Sequence, residues 1–280
     1  MKFNFPPLLL TAAITGILCS SGFAQQTQLG NRKGPTTKIY LAETKGESAI
    51  VSNGKSFTAE QTKAFDAPGT TIETKDKSHN AFVYSNGTGL YMEENTRIKI
   101  DRFAQERFLP TAPNKANPEI EPSTSQSNVV VTQGTVGICT NQLAAGTTMI
   151  YTTPLAVVAI RRGRVSIATT PDGTTVDLLE GDITVRNGPQ DTVGQILRPG
   201  DRAIIRITTA GQPPTLTIVP TPSDAMSPLD ERTTIACNAK KTVFFDANDA
   251  TDQEISANPV VPVKLPANIT VSPDRLPGSP

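Results

Sequence analysis

The sequence predicts an all-β protein. Many short antiparallel strands form a sandwich or a β-helical stack, followed by one short C-terminal helix and a disordered tail. Three observations carry this expectation. Turn residues recur about every ten positions in the second half of the chain, at Gly146, Gly163, Pro171-Asp172-Gly173, Gly181, Asn187-Gly188 and Pro199-Gly200, the punctuation of a sandwich, barrel or stack. Between the turns, apolar residues alternate with polar ones. In Arg97-Ile98-Lys99-Ile100-Asp101-Arg102-Phe103, Ile98 and Ile100 share one face and the charges take the other, as in a half-buried strand. Composition agrees, because 23 Pro, 20 Gly and abundant Thr suit turns and strands better than a helical bundle.

Taken in order, the first 24 residues read as an export signal. Lys2 supplies the positive start, Leu8 to Leu18 the apolar run, and Gly22-Phe23-Ala24 a small-x-small cleavage site before Gln25. The apolar run is shorter than the roughly 20 residues that cross a bilayer. Two other readings of this segment are an uncleaved anchor and a lipoprotein modified at Cys19, where the bulky Leu18 argues against the second. The expected mature chain, cleaved after Ala24, is periplasmic, envelope-associated or extracellular and has no transmembrane segment.

Residues 25–37 are a polar lead-in. Strands then begin at Lys38-Ile39-Tyr40-Leu41, and Asn53-Gly54 and Asn86-Gly87 signal hairpins. The predicted β-domain runs over 38–219. A Pro-rich linker interrupts it at 104–127, where Pro110, Pro113, Pro118 and Pro122 stand among polar residues without periodicity. Residues 220–245 carry a short helix and a packing segment. Ser227 is the expected N-cap, Pro228 the first helical residue, and Asp230 and Glu231 suit the first turn. From 246 to 280 the chain is polar and then Pro-rich, with no means of forming a core.

Charge and cysteines narrow the function. With 26 basic and 26 acidic residues, no net field favours nucleic acid or anionic lipid. Cys19 leaves with the signal, so the mature chain keeps Cys139 and Cys237. In an oxidising compartment the pair is a candidate disulfide; the other reading is two separately buried thiols. Cysteines this far apart lack the spacing of a zinc site.

Several glycine-punctuated strands recur in a fixed order. They include Gly69-Thr70-Thr71-Ile72-Glu73-Thr74, Asn86-Gly87-Thr88-Gly89-Leu90, Asn95-Thr96-Arg97-Ile98-Lys99-Ile100 and Gln133-Gly134-Thr135-Val136-Gly137-Ile138. Thr153-Pro154-Leu155-Ala156, Leu179-Glu180-Gly181-Asp182-Ile183-Thr184-Val185 and Leu197-Arg198-Pro199-Gly200-Asp201 continue the series. In this order it resembles the periplasmic domain of the FecR family of bacterial envelope regulators, over residues 38–207. The resemblance implies a sensing and interaction scaffold rather than a catalyst. It also implies that the cytoplasmic anti-sigma segment and membrane helix of the iron-sensing members are replaced here by a cleavable signal.

Few constellations suit chemistry. His79 is the only histidine and is expected in a polar turn, without a G-x-S-x-G elbow to serve. Arg161, Arg162 and Arg164 form a cationic cluster that could receive an acidic partner through forked hydrogen bonds; the plainer reading is edge charges that discourage strand pairing. Asp246, Asn248, Asp249, Asp252 and Glu254 lack the central Gly of a calcium loop and read as a solvated segment. Glu93-Glu94 reads as surface, and the Asn268-Ile269-Thr270 sequon carries no weight here. No cofactor, metal or catalytic residue is expected. The expected function is an exported, non-enzymatic FecR-like module that binds an envelope protein. A structural or adhesive protein that binds peptidoglycan or surface glycan is the alternative, although glycan pockets favour aromatic platforms and this chain has no Trp. A carboxylate hydrolase is the third reading.

Overall fold

Alternating apolar and polar residues need one face of each strand covered, and in this chain two layers of the same sheet cover each other. The computed structural model describes residues 37–106, 120–208, 211–247 and 255–260. The expected export signal, nearly all of the lead-in, the middle of the linker and most of the tail lie outside the described residues, as do Asn248, Asp249, Asp252, Glu254 and the sequon.

The strands are β1 (Lys38–Lys45), β2 (Ser48–Ser52), β3 (Lys55–Thr58), β4 (Ala64–Asp66), β5 (Thr71–Thr74), β6 (His79–Tyr84), β7 (Gly89–Met92) and β8 (Arg97–Gln105). After the linker come β9 (Ser125–Cys139), β10 (Thr148–Thr152), β11 (Val157–Thr170), β12 (Gly173–Arg186), β13 (Gln195–Leu197), β14 (Asp201–Arg206) and β15 (Thr215–Pro220). Helix α1 (Ser223–Ala239) and a 3₁₀ turn (Lys240–Thr242) lead into a hairpin of β16 (Val243–Ala247) and β17 (Ile255–Pro259).

β1 to β15 make one continuous sheet that folds over itself. Its first layer runs β3-β2-β5-β8, then the start of β9, β10, the start of β11, the end of β12 and β13. The second runs β4-β1-β6-β7, then the end of β9, the end of β11, the start of β12, β14 and β15. Strands β9, β11 and β12 therefore belong to both layers. Of the two expected arrangements the fold is the sandwich, cornered by bent strands. The bend falls where Gly163 of β11 faces Gly181 of β12, flanked by two register shifts. Both have positive φ, at 144° and 114°, and a Cβ on Gly163 would stand 2.2 Å from the carbonyl oxygen of Glu180. Sequence reading places turns here. The structure instead carries single 14-residue strands through the bend, because two facing glycines permit a bulge without ending the ladder.

One buried cluster fills the space between the layers. Ile50, Ile72, Ile98, Ile100, Val129 and Val131 from the first layer join Leu41, Phe82, Leu90, Ile138, Val165 and Val176 from the second. Tyr84 packs edge-on against Phe103, with ring centroids 5.5 Å apart. Burial pushes the phenols of Tyr84 and Tyr151 well above their ordinary range.

Four expectations are corrected. The strands are not all antiparallel: residues 126–130 of β9 pair in parallel with 148–152 of β10, because the chain crosses the corner between them. The linker is shorter than 104–127, since Ala104 and Gln105 complete β8 and Ser125 already pairs in β9. Within it Glu121, only 4% exposed, accepts bonds from Asn86 Nδ2, Ser125 Oγ, the Ala144 amide and Thr147 Oγ1, which fixes where the chain re-enters the fold. The helix starts at Ser223, four residues before the expected cap, so Pro228 lies inside it as the sixth residue and gives up one intrahelical bond near its N-terminal end. Finally, the tail is not all without structure. Ile255 and Ala257 pack with Phe245 in a second apolar cluster, so β17 forms although its neighbours are polar.

Candidate functional site

The second layer has an outer face, and α1 with the β16–β17 hairpin covers part of it. Tyr40, Ala42, Ala81 and Val83 project outward from β1 and β6 to meet Ala239, Val243, Phe245 and Ile255. Under the helix itself the sheet presents almost no side chain. Gly89 of β7 and Gly137 of β9 lie there, and a Cβ on Gly89 would fall 1.9 Å from the carbonyl oxygen of Ala236. A Cβ on Gly137 would stand 2.8 Å from Arg232 Cβ. These glycines serve close approach, not a turn.

So close an approach leaves little apolar area. Along α1 the buried residues are Leu229, Thr233, Ala236 and Ala239, a narrow strip for 17 residues. Specific ties hold the rest. Arg164 of β11 donates to Asp230 Oδ1 at 2.6 Å, to Thr233 Oγ1 at 3.1 Å and to Thr234 Oγ1 at 2.7 Å. Arg232 donates to Glu93, so the expected surface carboxylate is a helix anchor. In the last turn Cys237 is joined to Cys139 at the end of β9, with Cα atoms 5.2 Å apart and a separation of 98 positions in sequence. Closing so long a loop stabilises by roughly 4–5 kcal/mol in the chain-entropy account.

Beside the disulfide lies Lys240, 7% exposed. Its ammonium donates to Asn141 Oδ1 and stands 3.9 Å from Cys139 Sγ. Burial, with Lys241 next to it, pulls its pKa down to about 8.

The arginine cluster does not act as one surface. Arg164 is committed to α1 and to Glu180, 3.7 Å away. Arg161 is exposed and pairs loosely with Asp182 at 3.7 Å, and Arg162 is exposed in register with the same aspartate. His79 is not in a turn but opens β6, where Nε2 lies 3.2 Å from Glu43 Oε1 and the ring leans on Tyr91. No nucleophile accompanies it in these contacts. Among the described residues no group of three His, Cys, Asp or Glu side chains could hold a metal ion, and no helix is long and apolar enough to cross a membrane.

Two other surfaces stand out. A cleft of about 670 Å³ at the end of the sandwich is lined by Asn95, Gln133, Thr169 and Asp172 with Pro154 and Pro171 as walls. The edges of the sheet differ sharply. β4 and β13 have three residues and β3 has four, including Lys55, whereas β15 offers six residues without a charge, Thr-Leu-Thr-Ile-Val-Pro. Among the described residues no strand pairs with its outer side.

Sequence reasoning missed Lys240, Asp230, Arg232, Glu93 and the two glycines beneath the helix. The one available signal was Gly137, a glycine inside the apolar strand Val136-Gly137-Ile138 and away from any turn, whereas Gly89 opens β7 just after the Asn86-Gly87 turn and reads as part of it.

Two solved structures are similar, both from Parabacteroides distasonis ATCC 8503 and both provisionally described as anti-sigma factors. The first shares 15% identity at a TM-score of 0.40, covering 56% of this chain and 62% of that one. The second shares 12% identity at a TM-score of 0.37, covering 68% of this chain and 99% of that one. The chain thus spans less than two thirds of the first. Among curated proteins none matches. The family described as FecR protein matches residues 70–184, from the start of β5 into β12. That range takes in Cys139 and Arg164 and leaves α1 outside, so the disulfide and the ion pairs tie a C-terminal segment to it. The chain carries a FecR-family domain over residues 70–184, as the order of its glycine-punctuated strands led us to expect.

Proposed function

We propose that this chain is an exported, non-enzymatic FecR-type module that works by protein–protein contact in the cell envelope. FecR-type regulators act through protein contacts, and the Cys139–Cys237 bond supports an oxidising compartment. The observation that carries the reading is the outer edge of β15, with which no strand among the described residues pairs. Natural edge strands are kept short, charged or covered because an open ladder invites another strand. β15 is none of these, so it suits an extended segment of a partner that adds to the sheet.

The test compares residues 25–280 with a Thr217→Lys variant, in which a charge is placed on the exposed edge. Each is used to capture partners from an envelope fraction by cross-linking. A partner retained by the parent protein and lost with Thr217→Lys, at an unchanged thermal midpoint, is the expected result. Equal capture by both proteins rules out the edge. Export is tested separately by intact mass from the native host, where a chain starting at Gln25 is expected.

A second reading, binding of peptidoglycan or surface glycan, rests on the cleft. Amide, hydroxyl and carboxylate groups at Asn95, Gln133, Thr169 and Asp172 suit a polyhydroxylated ligand. Sedimentation with purified peptidoglycan, abolished by Asp172→Ala and Asn95→Ala together, would favour it over the strand-addition reading.

A further inference from the structure

We propose that the Cys139–Cys237 bond is an exchange-active latch. An external thiolate attacks Cys237 Sγ, Cys139 leaves as a thiolate beside Lys240, and the open bond releases α1 from the sheet.

The two sulfurs have unequal surroundings. Cys139 is 5% exposed, whereas Cys237 is half-buried on the last turn of a helix that lies on the surface of the sheet. An incoming thiol therefore reaches Cys237 more readily. The leaving side is also prepared. Lys240 Nζ lies 3.9 Å from Cys139 Sγ, and Arg164 stands opposite Cys139 in the β9–β11 register, its charge shared with Asp230 and Glu180. Cys237 sits instead at the carbonyl end of α1, whose last turn contains no basic residue. That end of a helix disfavours an anion. Exchange runs fastest when the sulfur expelled is the one whose thiolate is better stabilised, and here that is Cys139.

Lys240 makes sense in this light and is costly otherwise. Among the described residues it pairs with no carboxylate, and its polar partner is the neutral Asn141. Lys241, its exposed neighbour, only adds repulsion. A buried ammonium without a counter-charge destabilises the closed state, and a thiolate at Cys139 supplies that counter-charge in the open one. The lysine thus biases the bond toward opening.

The chemistry balances with a dithiol reductant, such as a thiol–disulfide oxidoreductase of the same compartment. The first thiolate forms a bond to Cys237 Sγ as the Cys237–Cys139 bond breaks, and the electron pair goes to Cys139. The second thiol of the reductant then displaces Cys237, so two electrons pass to the protein and the reductant leaves as a disulfide. What remains on α1 is two ion pairs at partly exposed sites, the Arg164 bonds to Thr233 and Thr234, and the strip of Leu229, Ala236 and Ala239. Such ties are worth little by themselves, so the helix leaves the glycine bed readily.

The experiment uses oxidised protein of residues 25–280, with glutathione as the attacking thiol at neutral pH, acid quenching and peptide mapping. The expected adduct is on Cys237, with Cys139 as the free thiol. Lys240→Met should slow opening by about fivefold or more, and should raise the pH midpoint for alkylation of Cys139, which in the parent protein lies below the ordinary thiol value of about 8.5. Hydrogen exchange at 223–239 should rise on reduction while β9 stays protected. An adduct on Cys139, a bond closed to glutathione, a Lys240→Met protein that opens at the parent rate, or a helix equally protected after reduction overturns the proposal. If Lys240→Met does not fold, the position of the adduct on the parent protein decides.

Discussion

Lys240 sets a pH signature that a surface lysine would lack. Its folded pKa is drawn down to about 8, while the unfolded chain keeps the ordinary value of 10.5. Below pH 8 both states hold the proton and the fold bears the full cost of burying it. Between about 8 and 10.5 the unfolded state binds more protons than the native one, so stability rises with pH. The parent protein should therefore gain on Lys240→Met in urea unfolding between pH 8 and 10, by up to about 1.4 kcal/mol per pH unit. Parallel pH profiles for the two proteins would show that the ammonium is not buried as described. None of this was legible in the sequence, where Lys240-Lys241 reads as two cations suited to a helix end. Burial is decided by the packing of a helix against a strand a hundred residues away. The arginines show the same limit: sequence shows three neighbouring positive charges but not the acidic groups that reach them, Asp182 from the next strand, Glu180 beside it and Asp230 from α1.

Elements were legible in kind and less so in extent. Alternation over residues 97–103 predicted β8 because its burial is decided locally, one face in and one face out. Asn53-Gly54 closes the β2–β3 hairpin as its composition demands. The bent strands β11 and β12 were read as pairs of short strands, because glycine has the same local freedom in a turn and in a bulge, and only the partner strand distinguishes them. The start of α1 was likewise placed at the best local cap signal, Ser227-Pro228, whereas the helix begins four residues before that cap, at Ser223, through a turn that is largely exposed. Docking of the helix on the sheet gives a direct test. Gly89→Ala puts a methyl group into the Ala236 carbonyl, and the helix must lift off because the strand below it cannot move. A loss of about 1–3 kcal/mol is expected, with raised hydrogen exchange in α1 and none in β6. Unchanged exchange in α1 would mean that the helix does not lie on the glycines.

At the scale of the molecule, the core joins both layers and three strands run through both. The sandwich should therefore melt as one unit. Ile138→Ala, a full truncation at the centre of the second layer, should cost about 2–5 kcal/mol and move the far-ultraviolet and tyrosine near-ultraviolet transitions together. Separate transitions would indicate layers that fold independently. The all-β class was legible because composition and turn spacing follow from the amount of strand, whichever strands pair. The sandwich and the stack could not be told apart, since that choice lies in which strands cross the corner.

The crossing of β9, β11 and β12 has a mechanical consequence. A sandwich whose halves meet only through loops can shear or open like a hinged book when something binds between them. Here a spine of continuous backbone ladder joins the halves, and at its facing pair Gly163 and Gly181 the strands lie so close that a side chain at Gly163 would run into the carbonyl of Glu180. Such a body resists shear between its layers, so under the proposed binding role any change on binding falls at the periphery: in what adds to a free edge, or in what is shed from the outer face.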